Sequence, residues 1–174
     1  MLVLRILIVV VLLLIFVQDL RSRSVYWVLF PVLMLLFIAT GLLQHRLWVD
    51  LLQPAMINGL FIVVQLLLVS AYFSLKSGKW INICAELLGW GDVLLLLSVA
   101  FYLSVLNFVF FYVSSLILTL LLWMTWQGVA GRKNKQLPLA GFQAMIFSVF
   151  LTGDWYGLHL NLTDDSWLLN LLHR

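Results

Sequence analysis

Cysteine is almost missing from this chain. Cys84 is the single one among 174 residues, so neither an intramolecular disulfide nor a cysteine-based zinc knuckle can form. Charge is scarce as well. Ten basic and seven acidic side chains make up only 10% of the residues and leave a net charge of +3. Soluble domains carry about a quarter charged residues and are about half apolar, whereas 64% of this chain is hydrophobic. A globular core of this size has no room for that much apolar surface. The weak apolar–polar alternation of membrane barrel strands is missing too. Lipid then leaves helices as the way to cross, because every backbone polar group must be satisfied inside its own segment. The expected fold is an all-α integral membrane protein, a single domain over residues 1–174. Its solvent is the lipid bilayer, and nucleic acid is not an expected partner. There is no self-similarity at a fixed period, which argues against an inverted-repeat transporter.

The apolar runs predict six spans and a short C-terminal interfacial helix. The first span covers about residues 2–17 and is read as retained, since no small-x-small cleavage pattern follows it. The second covers about 25–43. The third starts near Pro54, a residue suited to a first helical turn, and ends near Leu75. Residues 93–127 are apolar throughout. As one helix they would reach about 52 Å at 1.5 Å per residue, against a hydrocarbon core of about 30 Å. Two helices with a turn near Ser104 to Asn107 are therefore expected. The sixth span opens near Pro138 and reaches about Leu151. In the tail "DDSWLLNLLHR", Trp167, Leu168, Leu171 and Leu172 share one helical face, as an interfacial helix requires. The odd-numbered loops hold Arg21, Arg23, Lys76, Lys79, Arg132, Lys133 and Lys135. The other side holds Arg5, Arg46 and Arg174. That bias places the odd loops in the cytoplasm and both termini outside.

Two of the acids touch span boundaries on the same side. Asp92 stands in "GWGDVLLLL", directly before an apolar run, and taken alone reads as a helix N-cap. Asp19 is misplaced for a cap. It closes the first span, where the helix dipole presents negative partial charge; its simplest reading is a solvated loop acid paired with Arg21 or Arg23. Together the two acids allow a third reading. Two adjacent carboxylates do not both ionise easily and share a proton, titrating as a unit. One then serves as base toward water while the other serves as acid toward a peptide carbonyl. Gly89 and Gly91 remove side chains beside Asp92, which would let a substrate backbone approach; a flexible loop end explains them equally. Asn58, Gln65, Asn107 and Gln143 are suited to hydrogen bonds between helices. Trp48, Trp80, Trp155 and Trp167 suit an interfacial belt, and His159 and Cys84 a structural role.

These residues also carry a resemblance. "GWGD", Gly89 to Asp92, looks like the GxGD motif of intramembrane-type aspartyl proteases. "DLRSRSV", Asp19 to Val25, looks like the first acidic motif of the type IV prepilin peptidases, and "QLPLAGF", Gln136 to Phe142, resembles the segment that opens that family's last helix. The motifs occur in the family's order, and the similarity covers nearly the whole chain. It implies a membrane aspartyl endopeptidase that removes leader peptides from prepilin or pseudopilin-like precursors at the cytoplasmic face of the inner membrane. Asp19 and Asp92 would be its catalytic pair. Gly89, Gly91, Glu86 and Pro138 would lie along the substrate, and Glu86 is equally suited to pair with Lys79. No cofactor and no metal are implied, and the cysteine-rich domain of many bacterial members has no counterpart. Val25 and Tyr26 stand where the family has Ile-Pro, Leu94 where it has Lys, and the last motif lacks a second proline. These departures motivate an alternative: a non-catalytic scaffold or assembly partner that keeps the fold. A small transporter is a third reading, with Asn58 and Gln65 as its mid-membrane polar groups.

Overall fold

The computed structural model describes residues 1–77, 89–130, 138–158 and 161–172. The expectations for Lys79, Trp80, Cys84, Glu86, Arg132, Lys133, Lys135, His159 and Arg174 lie outside the described residues. Regular structure among the described residues is entirely helical: α1 (Leu2–Ser22), α2 (Leu29–Leu43), α3 (Trp48–Ser77), α4 (Trp90–Ala100), α5 (Val105–Ala130), α6 (Leu139–Gly153), a π-helical turn (Asp154–Leu158) and α7 (Ser166–Leu172). Among the described residues, three helices are long and apolar enough to cross a membrane, at Leu2–Ser22, Trp48–Lys76 and Val105–Thr125, and α2 and α4 are shorter apolar helices.

The 93–127 run does break in two, at a turn over 101–104, slightly ahead of the predicted place. α2 starts at Leu29, later than the expected 25, while the boundaries of α1 and α3 move outward. α1 continues through Gln18 and Asp19 to Ser22 and ends on Arg23, whose left-handed backbone (φ 52°) lets its N–H donate to the Asp19 carbonyl. Polar residues do not stop a helix whose hydrogen bonds are made within the chain. α3 likewise begins at Trp48, so Pro54 lies inside it and not in its first turn. The start is fixed instead by Asp50, whose carboxylate accepts the Leu47 N–H at 3.2 Å.

α1 buries Ile8, Val11, Leu12 and Ile15, one helical stripe, and packs most extensively on α6. The centre is aromatic. Phe37 of α2 lies 4.9 Å from Tyr102 and 5.8 Å from Phe147 of α6. Phe111 of α5 closes on Phe147 at 4.8 Å. In lipid such close packing, together with polar links, holds helices together, since there is no water to escape from. The links are present. Asn58 of α3 donates to the carbonyls of Ala100 and Leu103 at 3.2 and 3.0 Å. Ser98 of α4 donates to the Phe30 carbonyl at 3.0 Å. Gln143 of α6 donates to Ser115 of α5 at 3.3 Å.

Asn107 does more than link two helices. Fully buried, it donates to Ser104 Oγ (2.8 Å) and to the carbonyls of Leu162 (3.1 Å) and Asp164 (2.9 Å). Its own oxygen accepts from the Trp167 indole at 2.9 Å. Asp165 meanwhile accepts the Leu106 and Asn107 amides at 3.1 and 3.3 Å, capping α5 from across the fold. The C-terminal helix is therefore bonded to the start of α5 and does not rest on a bilayer surface alone. Trp155 also departs from its expected place in an interfacial belt: it is 8% exposed and donates to the Tyr102 hydroxyl at 3.1 Å. Asn107→Leu leaves several buried partners unpaired and is expected to cost about 1–3 kcal/mol, read as an earlier midpoint in a denaturant titration of the micelle-embedded protein. Asn170→Leu, at an exposed position of α7, is expected to leave that midpoint within error.

Candidate active site

Successive helices alternate in direction, so one end of the bundle gathers the C-terminus of α1 and the N-termini of α4 and α6. Asp19 and Asp92 meet there. Both are buried, each 8% exposed, and the charge of Asp19 bears directly on Asp92. Asp19 is thus not a solvated loop acid, although Arg23 lies within range of its charge.

α6 brings them together. The first amides of a helix have no partner within it and carry the positive end of its dipole. In α6, which starts after Pro138, the Gly141 N–H donates to Asp19 Oδ2 at 2.6 Å, and the Ala140 amide lies near enough to favour the charge on Asp92. Both carboxylates therefore meet one helix start, Asp19 bonded to its Gly141 amide and Asp92 beside its Ala140 amide. This accounts for Asp19: unfavourable at the end of its own helix, it sits at the start of another.

Asp92 is the third residue of α4 rather than its N-cap, which is Gly89. Its carboxylate reaches back to accept the Gly89 N–H at 3.1 Å, the carboxylate half of a capping box. The capping reading was right in chemistry and wrong in position. Asp50 makes the same reach to Leu47 at the start of α3, but is exposed. Capping alone needs only what Asp50 has. Burial beside a second carboxylate is the added feature at Asp92.

The other expected site residues divide. Gly89 is exposed, with an ordinary extended backbone (φ −70°, ψ 140°). A Cβ at Gly91 would meet Phe30 at 3.6 Å and Ala140 at 3.9 Å, ordinary contact distances. The fold therefore does not demand glycine at position 91. Pro138 is half-buried and acts by setting the start of α6. Glu86 is outside the described residues. The glycine that the packing does demand is Gly141, where a Cβ would lie 3.0 Å from both Cβ and Oδ2 of Asp19 and 3.3 Å from the Phe16 carbonyl oxygen. Sequence reasoning missed Ala140 and Gly141 as site residues. Their stretch was conspicuous only as a helix opening after a proline.

Beside the pair, a cavity of about 70 Å³ opens between α3, α4, α5 and α6. Val93 and Leu139, the neighbours of Asp92 and Ala140, lie in its wall with Gln65, Tyr112 and Gln143. The fully buried Gln143 leaves its Oε1 without a partner among the described residues. No family model, curated protein or solved structure matches the chain.

Proposed function

We propose that this protein is a membrane aspartyl endopeptidase. Within that class we assign it to the prepilin-peptidase type, cleaving leader peptides of prepilin or pseudopilin-like precursors. The observation that carries the reading is the convergence of two buried carboxylates at the α6 N-terminus. A pair that shares one proton holds both a base and an acid. The base takes a proton from water as its oxygen bonds to the scissile carbonyl carbon, and the acid protonates the carbonyl oxygen. Collapse of the tetrahedral intermediate breaks the C–N bond and delivers a proton to the leaving amine. Which aspartate is base alternates with the position of the shared proton.

The exposed Gly89 and Trp90 beside the pair leave an approach for an extended backbone. In this reading α2, α4 and α6 cross as short helices alongside the three long ones, making six spans. The end with Asp19 and Asp92 faces the cytoplasm, in keeping with Arg21, Arg23 and Lys76 at that end and with both termini outside.

Co-expression with a prepilin tests the reading. Loss of the leader, seen as a shift to a smaller product, is expected; an intact precursor recovered in a stable complex would favour the scaffold alternative. Gly91→Ala separates fold from substrate access. It has room for the methyl group and is expected to keep stability or raise it by up to about 1 kcal/mol, while cleavage slows. Unfolding and cleavage measured on the same preparation check this.

A further inference from the structure

The opposite end of the bundle holds a second cavity, this one polar and of about 330 Å³, within the range of about 300–1,000 Å³ typical of small-molecule sites. Five separate elements line it, with Arg5 from α1, Arg46 from the α2–α3 turn, Tyr102 from the α4–α5 turn, Asp154 and Trp155 from the π-helical turn, and Asp164 from the segment before α7. A π-turn is uncommon and frequent at functional sites.

The charges are balanced and incompletely used. The Arg5 guanidinium lies 5.2 Å over the Trp155 ring, and among the described residues it makes no hydrogen bond or ion pair. The same holds for the half-buried Arg46, whose burial lowers its pKa from the ordinary guanidinium value although Tyr102, Asp50 and Asp164 act against that. Asp154 uses one oxygen, accepting the Asn161 N–H at 2.9 Å. A purely anionic ligand would meet Asp154 and Asp164, and a purely cationic one would meet both arginines. A ligand carrying both charges suits the lining.

We propose that this cavity binds a zwitterionic phosphate–ammonium group, the phosphate on Arg5 and Arg46 and the ammonium on Asp154 and Asp164, supplied by the headgroup of a phospholipid such as phosphatidylethanolamine. Guanidinium forks match phosphate oxygens, and the ammonium gains two carboxylates. The lipid source is favoured by the flanks. Leu2, Val3 and Ile6 beside Arg5, and Leu47 and Trp48 beside Arg46, are all at least half exposed, between 51% and 69%, and offer acyl chains an apolar surface. The site is independent of the reading at Asp19 and Asp92.

Binding to the full chain in detergent micelles, counted as lipid adducts by native mass spectrometry, tests it. Phosphatidylethanolamine is expected to bind about tenfold or more tightly than phosphatidylglycerol or diacylglycerol. Arg5→Gln/Arg46→Gln should weaken phosphatidylethanolamine binding about tenfold or more and so remove its advantage over diacylglycerol, and Arg46→Lys, which keeps charge but not the fork, should weaken binding less than Arg46→Gln. Asp154→Asn/Asp164→Asn should reverse the preference toward phosphatidylglycerol. Equal binding of phosphatidylethanolamine and diacylglycerol to the wild type would overturn the proposal. So would unchanged binding to the double arginine variant with its helical circular dichroism intact. Displacement by an equal concentration of soluble glycerophosphoethanolamine would count against the lipid source, and retention would support it.

Discussion

Asp19→Asn and Asp92→Asn are each expected to lower prepilin cleavage by about 10³-fold or more, while Asp50→Asn leaves it within about twofold. The three changes are matched in what they preserve. An asparagine oxygen still accepts the Gly141 N–H at position 19, the Gly89 N–H at position 92 and the Leu47 N–H at position 50. Helix starts and packing are kept, so unfolding midpoints should shift little. What is lost is a titratable oxygen, and only at positions 19 and 92 does that oxygen belong to a buried pair. The effects should also fail to add. Groups acting as one unit are lost together when either is lost, so the double variant should be no slower than the worse single one. Initial rates on one precursor, with the unfolding midpoint measured alongside, check both points.

Gly141→Ala is the second large effect. Its methyl group would meet Asp19 Cβ and Oδ2 at 3.0 Å and the Phe16 carbonyl oxygen at 3.3 Å. None of these is the loose end of a long side chain. α6 must move away from α1 or the Asp19 carboxylate must turn off its amide, and either separates the pair from the helix start that aligns it. Misplacement of a catalytic group by about 1 Å costs about 10²-fold, the expected loss. Overpacking adds about 1–3 kcal/mol of destabilisation. Gly91→Ala, with contacts of 3.6 and 3.9 Å, should show neither the packing cost nor the displacement of Asp19. A rate loss at Gly141 no larger than that at Gly91 would show that the amide at 141 does not position the pair.

The membrane character, the split of the 93–127 run and the two aspartates were all legible in the sequence, because apolar runs and isolated acids at their ends are features of side chains. The helix starts were less so. Asp92 looked like an N-cap because the apolar run begins after it; the helix begins two residues earlier, as Asp92 reaches back to the Gly89 amide. Asp19 looked like the far side of a boundary because hydropathy falls at Gln18, yet backbone hydrogen bonding carries the helix to Ser22. The partner of Asp19 was not legible at all. It is a backbone amide 122 residues away, and an amide leaves no mark on composition. The cavity at Arg5 and Arg46 was hidden in another way: its residues come from five places, each unremarkable until the turns bring them together.

Hydrolysis of a peptide bond by the paired aspartates can be observed outside the cell. The most direct measurement uses the purified protein reconstituted in liposomes with a prepilin precursor, the products being resolved by mass spectrometry. One new pair of products, split at the leader boundary, is expected from the wild type and from Asp50→Asn and not from Asp92→Asn. An intact precursor with the wild type, or the same products at the same rate with Asp92→Asn, would contradict hydrolysis by the pair.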